Sequence, residues 1–140
     1  MICIDASVVA KLVSADEAVE AINRQYEEAR IAGEKFIAPT LLPYEIASVL
    51  RKKVLKGLLA PSEIVGAVRQ FRGLHIQLED FEGLIERSLS LSESFAPRLT
   101  VYDASYMAVS ERHRAPLWTA DQEFYRLVSF SFPEITLVAH

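Results

Sequence analysis

Residues 100–121 read TVYDASYMAVSERHRAPLWTAD, and this stretch decides the fold. Thr100 and Asp103 have the spacing of a capping box, with Asp where Glu or Gln is usual, so a helix is expected over Thr100–His113. Pro116 then opens a short apolar run, Pro116–Ala120, that reads as a strand and is followed at once by Asp121. An amphipathic run feeding a short apolar run that stops at an acid is the repeating pattern of an α/β chain. Outward in both directions the pattern continues.

Toward the N-terminus, MICI is a short apolar run ending at Asp5. Ser14 with Glu17 forms a capping box and opens a helix whose apolar stripe is Ala15, Ala18, Val19, Ile22, Tyr26 and Ala29, with Gly33 at its stop. KFIA (35–38) reads as a strand. Pro43 suits a first helical position, and the helix it opens would bury Ile46, Val49, Leu50 and Val54 before Gly57 ends it. Pro61 opens another helix to about Arg72, His75–Leu78 reads as a strand, and Asp80 would cap a helix to about Phe95. Beyond Asp121, a short helix over Gln122–Ser129 and a strand over Ile135–Ala139 complete the order βααβααβααβαβ. Strands separated by helices imply a mainly parallel sheet covered on both faces. Ligands of such sheets bind beyond the carboxyl ends of the strands, where strand order reverses.

Composition bounds the function. A chain of 140 residues, 51% hydrophobic and 24% charged, is the size and mix of one globular domain. One cysteine, Cys3, excludes a disulfide framework and any multi-cysteine zinc site, and in its apolar strand it reads as a small buried hydrophobe. MICIDAS lacks the basic start of a secretory leader, and no apolar run approaches the ~20 residues that span a bilayer, so a soluble, cytoplasmic protein is expected. The net charge of −4 argues against holding nucleic acid through a broadly basic surface. It leaves room for a nuclease whose acids carry metal ions, because divalent cations supply the positive charge at such a site.

Four acids fall at strand ends or in the first turn of the following helix: Asp5, Glu45, Asp103 and Asp121. Each has an ordinary reading as a cap or as a favourable charge at a helix start. Their conjunction has another, since all four would meet at one edge of the sheet. Crowded carboxylates raise one another's pKa unless a cation neutralises them, and a hard divalent ion is the natural neutraliser.

CIDAS (3–7), PYEIASVL (43–50), YDASYMAVSERHRAPLWTAD (102–121) and the closing βαβ together resemble a PIN domain. More narrowly they resemble the VapC-type toxin ribonucleases of toxin–antitoxin pairs, over essentially the whole chain. The resemblance implies a single three-layer α/β domain over residues 1–140, with a five-stranded sheet in the order 3-2-1-4-5. It implies an endoribonuclease using Mg²⁺ or Mn²⁺ that leaves 5′-phosphate and 3′-hydroxyl ends. It also implies that Asp5, Glu45, Asp103 and Asp121 are the catalytic and metal-binding acids, with Ser7 and Thr119 ordering the site. RNA as substrate, a VapB-like antitoxin partner held partly by the helices at 43–56 and 61–72, and a homodimer are further implications. Gln122 and Glu123 follow the last acid, and Glu123 is given no metal role.

Other readings stay in view. A PIN-like protein-binding or regulatory module without catalysis is the alternative, and a receiver-like domain is disfavoured because only one acid follows the first strand. The chain has no phosphate-binding glycine loop and no G-x-S-x-G elbow. Its scattered histidines, 75, 113 and 140, have no ligand spacing, and Trp118 reads as core. Arg51, Lys52, Lys53 and Lys56 suit the end of a helix dipole, but Glu45, Ser48, Lys52 and Lys56 share a helical stripe, so Lys52 and Lys56 could follow RNA phosphates away from Glu45.

Overall fold

The central strand is β1 (Ile2–Ile4), all three residues of which are buried. A computed structural model describes residues 1–13 and 20–138; the capping box expected at Ser14 and Glu17, the positions Ala15, Ala18 and Val19, and the end of the last strand at Ala139 lie outside them. Parallel to β1 on one side runs β2 (Phe36–Pro39), followed by β3 (Gln77–Glu79). On the other side run β4 (Leu117–Thr119) and β5 (Ile135–Leu137), giving the order β3-β2-β1-β4-β5. The inner strands β1 and β2 bury every residue, as strands covered on both faces do. Edge strand β3 leaves Gln77 and Leu78 exposed.

Between the strands lie α1 (Ala6–Leu12) and α2 (Glu20–Ile31), then α3 (Leu42–Leu55) and α4 (Ile64–Gly73), then α5 (Leu84–Ser94) and α6 (Val101–His113), and finally α7 (Gln122–Val128). Helix α6 is buried all round from Ala104 to Ser110, packed on β1, β2 and β4 with α5 on its outer side. Helix α1 packs on β4, α2 and α3. The result is the expected three-layer α/β architecture. None of the described helices is long and apolar enough to cross a membrane.

Local chemistry sets the ends. Helix α3 closes in a Schellman motif around Gly57 (φ +73°): the Leu58 amide donates to Lys53 and the Gly57 amide to Val54. Several boundaries differ from expectation: Pro61 opens a 3-10 turn (Pro61–Glu63) ahead of α4, and β2 and β4 cover Phe36–Pro39 and Leu117–Thr119 in place of 35–38 and Pro116–Ala120. Pro43 is the second helical residue, because Leu41 serves as the N-cap. Strand β3 starts at Gln77, since His75 has φ +52° and cannot join a ladder. Helix α5 starts at Leu84 and not at Asp80, because Gly83 at φ +93° makes the turn that precedes it. Val49 and Val54, expected to be buried, are half-buried, while Ile46 and Leu50 are fully buried beside Leu42. Cys3 is buried, and Trp118 packs edge-on against Phe36 with ring centroids 5.9 Å apart.

Candidate active site

Asp5 follows β1 directly, and its Oδ1 accepts from the Val8 amide at 3.2 Å, capping α1. Asp121 stands two residues past β4 and caps α7 by accepting from the amides of Glu123 and Phe124 at 2.9 and 3.1 Å. Because β1 and β4 are neighbours, the switch in strand order falls between these two acids. Asp103 lies in the first turn of α6, whose cap is Thr100: its hydroxyl accepts from the Asp103 amide at 3.1 Å. Glu45 lies in the first turn of α3. The capping readings therefore hold for Asp5 and Asp121, and they are compatible with the site reading. At Asp103 the cap is made by Thr100, leaving the carboxylate free of that duty.

All four acids line one cleft of about 300 Å³, together with Ser7 and Tyr106. Burial pushes the Asp5 carboxyl up to about 6, opposed by hydrogen bonds chiefly from the Ser7 hydroxyl. Asp103 is pushed up to about 7, first by burial and then by the charges of Asp5, Glu45 and Asp121. Burial also raises Glu45, against the hydrogen bond it accepts from Tyr106. Each acid is felt at Asp103, so the cluster acts as one electrostatic unit.

The hydroxyls form a clasp across the β1–β4 seam. Ser7 Oγ donates to Asp5 Oδ1 at 2.5 Å, accepts from the Ala120 amide at 2.8 Å, and lies 3.3 Å from Thr119 Oγ1. Thr119, fully buried, accepts in turn from the Asp121 amide at 3.1 Å. Ser7→Ala would orphan the Ala120 amide and strip the Asp5 carboxylate of its closest donor. A loss of about 1–3 kcal/mol is expected. Thermal melts at pH 8 check it; an unchanged melting temperature would show that the clasp carries no weight.

Sequence reasoning missed Tyr106. It is almost wholly buried, and its hydroxyl donates to Glu45 Oε1 at 2.7 Å, tying α6 to α3. The available signal was its position three residues after Asp103, which places both on one face of α6. Lys52 lines the cleft with Ser48, whereas Lys56 caps the end of α3 and does not. Glu123 is exposed on the neighbouring cleft. His113 Nε2 sits 3.4 Å from a Glu79 carboxylate oxygen, without hydrogen-bond geometry and away from the acids.

The donor set suits a hard divalent cation. Among the described residues no three His, Cys, Asp or Glu side chains form a ready coordination shell. Magnesium does not require one, since it is usually held by one or two carboxylates and completes its shell with water and substrate phosphate. The carboxylate and hydroxyl oxygens gathered on the cleft, and the raised acids, fit such an ion.

The PIN domain family profile matches residues 2–129, and the chain belongs to the PIN-domain family. Within that family it is similar to the VapC ribonuclease Mb0985 of Mycobacterium bovis and to Ribonuclease VapC9 of Mycobacterium tuberculosis. Each is 34% identical over 91 residues, covering 65% of this chain and 68% of the relative. The crystal structure of PAE2754 from Pyrobaculum aerophilum has the same fold, with TM-score 0.66 and 23% identity over 90% of this chain and 84% of that one. So has a toxin–antitoxin complex from Klebsiella pneumoniae, with TM-score 0.60 and 14% identity over 97% and 96% of the two chains.

Proposed function

We propose that this chain is a divalent-metal-dependent endoribonuclease of the VapC type, working as one PIN domain and as the toxin of a toxin–antitoxin pair. The observation that carries the reading is the gathering of Asp5, Glu45, Asp103 and Asp121 on one cleft at the strand-order switch, with Lys52 beside them. Kinship with VapC ribonucleases supports RNA as the substrate.

In this reading Asp5, Asp103 and Asp121 hold Mg²⁺ or Mn²⁺, and Glu45 completes the set. When bound, the ion supplies the charge that lets water attack a phosphodiester near neutral pH and steadies the departing 3′-oxygen. The chain's own contribution is to present the acids in fixed positions. Ser7 holds the Asp5 carboxylate against the seam, Tyr106 fixes one oxygen of Glu45, and the Asp121 carboxylate is held by its two amides. Raised pKa values keep Asp5 and Asp103 receptive to protons until a cation displaces them. Cleavage leaves 5′-phosphate and 3′-hydroxyl ends.

Lys52 follows the RNA backbone out of the cleft. Lys52→Glu is expected to weaken RNA binding and to lower the slope of log K against log salt by about 0.7, the share of one phosphate on a single strand. Lys56→Glu changes it less, and equal effects from both would remove Lys52's special place. Exposed Leu55 and Leu58 leave an apolar corner between α3 and α4, which supports a VapB-like partner there. A homodimer belongs to the same proposal.

The deciding experiment is cleavage of end-labelled single-stranded and structured RNAs in Mg²⁺, Mn²⁺ or EDTA, with Asp5→Asn alongside. Metal-dependent cleavage lost in the variant is the expected result. A folded protein that neither cleaves nor binds a divalent ion would instead be a PIN-like binding module.

A further inference from the structure

A second cleft, of about 680 Å³, opens beside the acids and shares Asp103 and Asp121 with the first. Leu99 and Phe124, both buried, and half-buried Leu127 give it an apolar lining. Two guanidinium groups also line it: Arg98, in the segment before α6, and Arg126, on α7. Neither pairs with the neighbouring carboxylates. Among the described residues Arg98 has no side-chain hydrogen bond or ion pair, and Arg126 donates only to the neutral side chain of Gln122 at 3.1 Å.

Two guanidinium groups without a carboxylate partner, although Asp103, Asp121 and Glu123 line the same cleft, are open to an anion from outside. Guanidinium groups match phosphate oxygens in geometry and charge. Apolar lining matches the face of a base, and the volume falls within the range of pockets that hold small ligands. We infer that this cleft is a nucleotide subsite: it takes the residue adjoining the scissile phosphate, with the base against half-buried Leu127, which buried Leu99 and Phe124 back, and the next backbone phosphate held by Arg98 and Arg126. The RNA strand then crosses the acids between two basic flanks, Lys52 on one side and the arginine pair on the other. This inference rests on the ribonuclease reading for its substrate, and its test is separable from that reading.

The test uses the full chain in an Asp5→Asn background, which removes cleavage and leaves the second cleft intact. A fluorescein-labelled ten-nucleotide single-stranded RNA is titrated by anisotropy in Mg²⁺ at several salt concentrations. Arg98→Gln with Arg126→Gln is expected to weaken binding at least tenfold and to lower the salt slope by about 0.7, the share of the one phosphate they hold together. Arg69→Gln, which removes an exposed charge on α4 outside both clefts, is expected to change binding less than twofold. In the chain that keeps Asp5, the arginine pair should raise KM at least tenfold and change kcat less than threefold. Binding unchanged in the double variant, or weakened equally by Arg69→Gln, overturns the subsite. A protein that cuts no RNA yet loses oligonucleotide binding with the arginine pair keeps the subsite and overturns the ribonuclease.

Discussion

Asp103→Asn is expected to abolish RNA cleavage, by a factor of 10³ or more, while making the metal-free protein more stable at pH 8. Most mutations at buried polar positions cost stability, so the opposite sign is a demanding prediction. It follows from the division of labour at the start of α6, where Thr100 makes the cap and the Asp103 side chain is not needed for it. What the carboxylate contributes to the fold is repulsion, from Asp5, Glu45 and Asp121 on top of its own burial. An amide of the same shape removes that charge without leaving a cavity. A gain of about 1–2 kcal/mol corresponds to a melting temperature higher by roughly 3–6 °C in a domain of this size. Loss of one of the anions proposed to hold the metal removes several kcal/mol of transition-state stabilisation. Parallel melts and cleavage assays check both halves. Cleavage within tenfold of wild type would remove Asp103 from the chemistry, and a lower melting temperature would contradict the electrostatic account.

The second large effect is on pH. Without metal, the protein is expected to lose roughly 3 kcal/mol between pH 5 and pH 8, about 10 °C in melting temperature. The sign comes from Asp5 at about 6 and Asp103 at about 7 in the folded chain, against roughly 4 for an unfolded aspartate. Between those values the folded state holds more protons than the unfolded one. Stability is therefore full below about pH 4 and falls as the pH rises through 6 and 7. Fully buried Asp5 contributes near its face value, while Asp103, partly open to solvent, is screened and contributes less than its shift suggests. Adding Mg²⁺ should restore stability at pH 8 and have little effect at pH 5, where protons already neutralise the pair. A melting temperature that is flat or rising from pH 5 to pH 8, with EDTA present, would contradict the crowding of these acids.

The strand and helix order was legible from sequence because apolar runs and their breakers are local signals, and the order βααβααβααβαβ is the observed one. So was the convergence of the four acids, since parallel order and acids at strand ends together place them at one edge. Boundaries at His75 and Gly83 were not legible, because a positive φ at a histidine depends on how the end of α4 meets β3, which no local pattern records. Tyr106 escaped for a similar reason. Its partner is Glu45, 61 residues away, and only the packing of α6 near α3 brings the two together. The arginines at 98 and 126, neither paired with a carboxylate, carry no sequence signature either, as a surface arginine declares itself only by what surrounds it.

The acids differ in what else depends on them. Asp5 and Asp121 each hold the first turn of a helix, whereas the side chains of Glu45 and Asp103 hold none. A descendant of this chain that abandoned nuclease chemistry would thus decay unevenly. Positions 5 and 121 would drift only among Asp, Asn, Ser and Thr, residues that still accept from a helix's first amides. Positions 45 and 103 would be released to neutral or apolar residues, and position 103 would gain stability by the change. A chain of this fold that keeps polar caps at the first and last positions but has lost both middle acids can be read as a former nuclease from four letters alone.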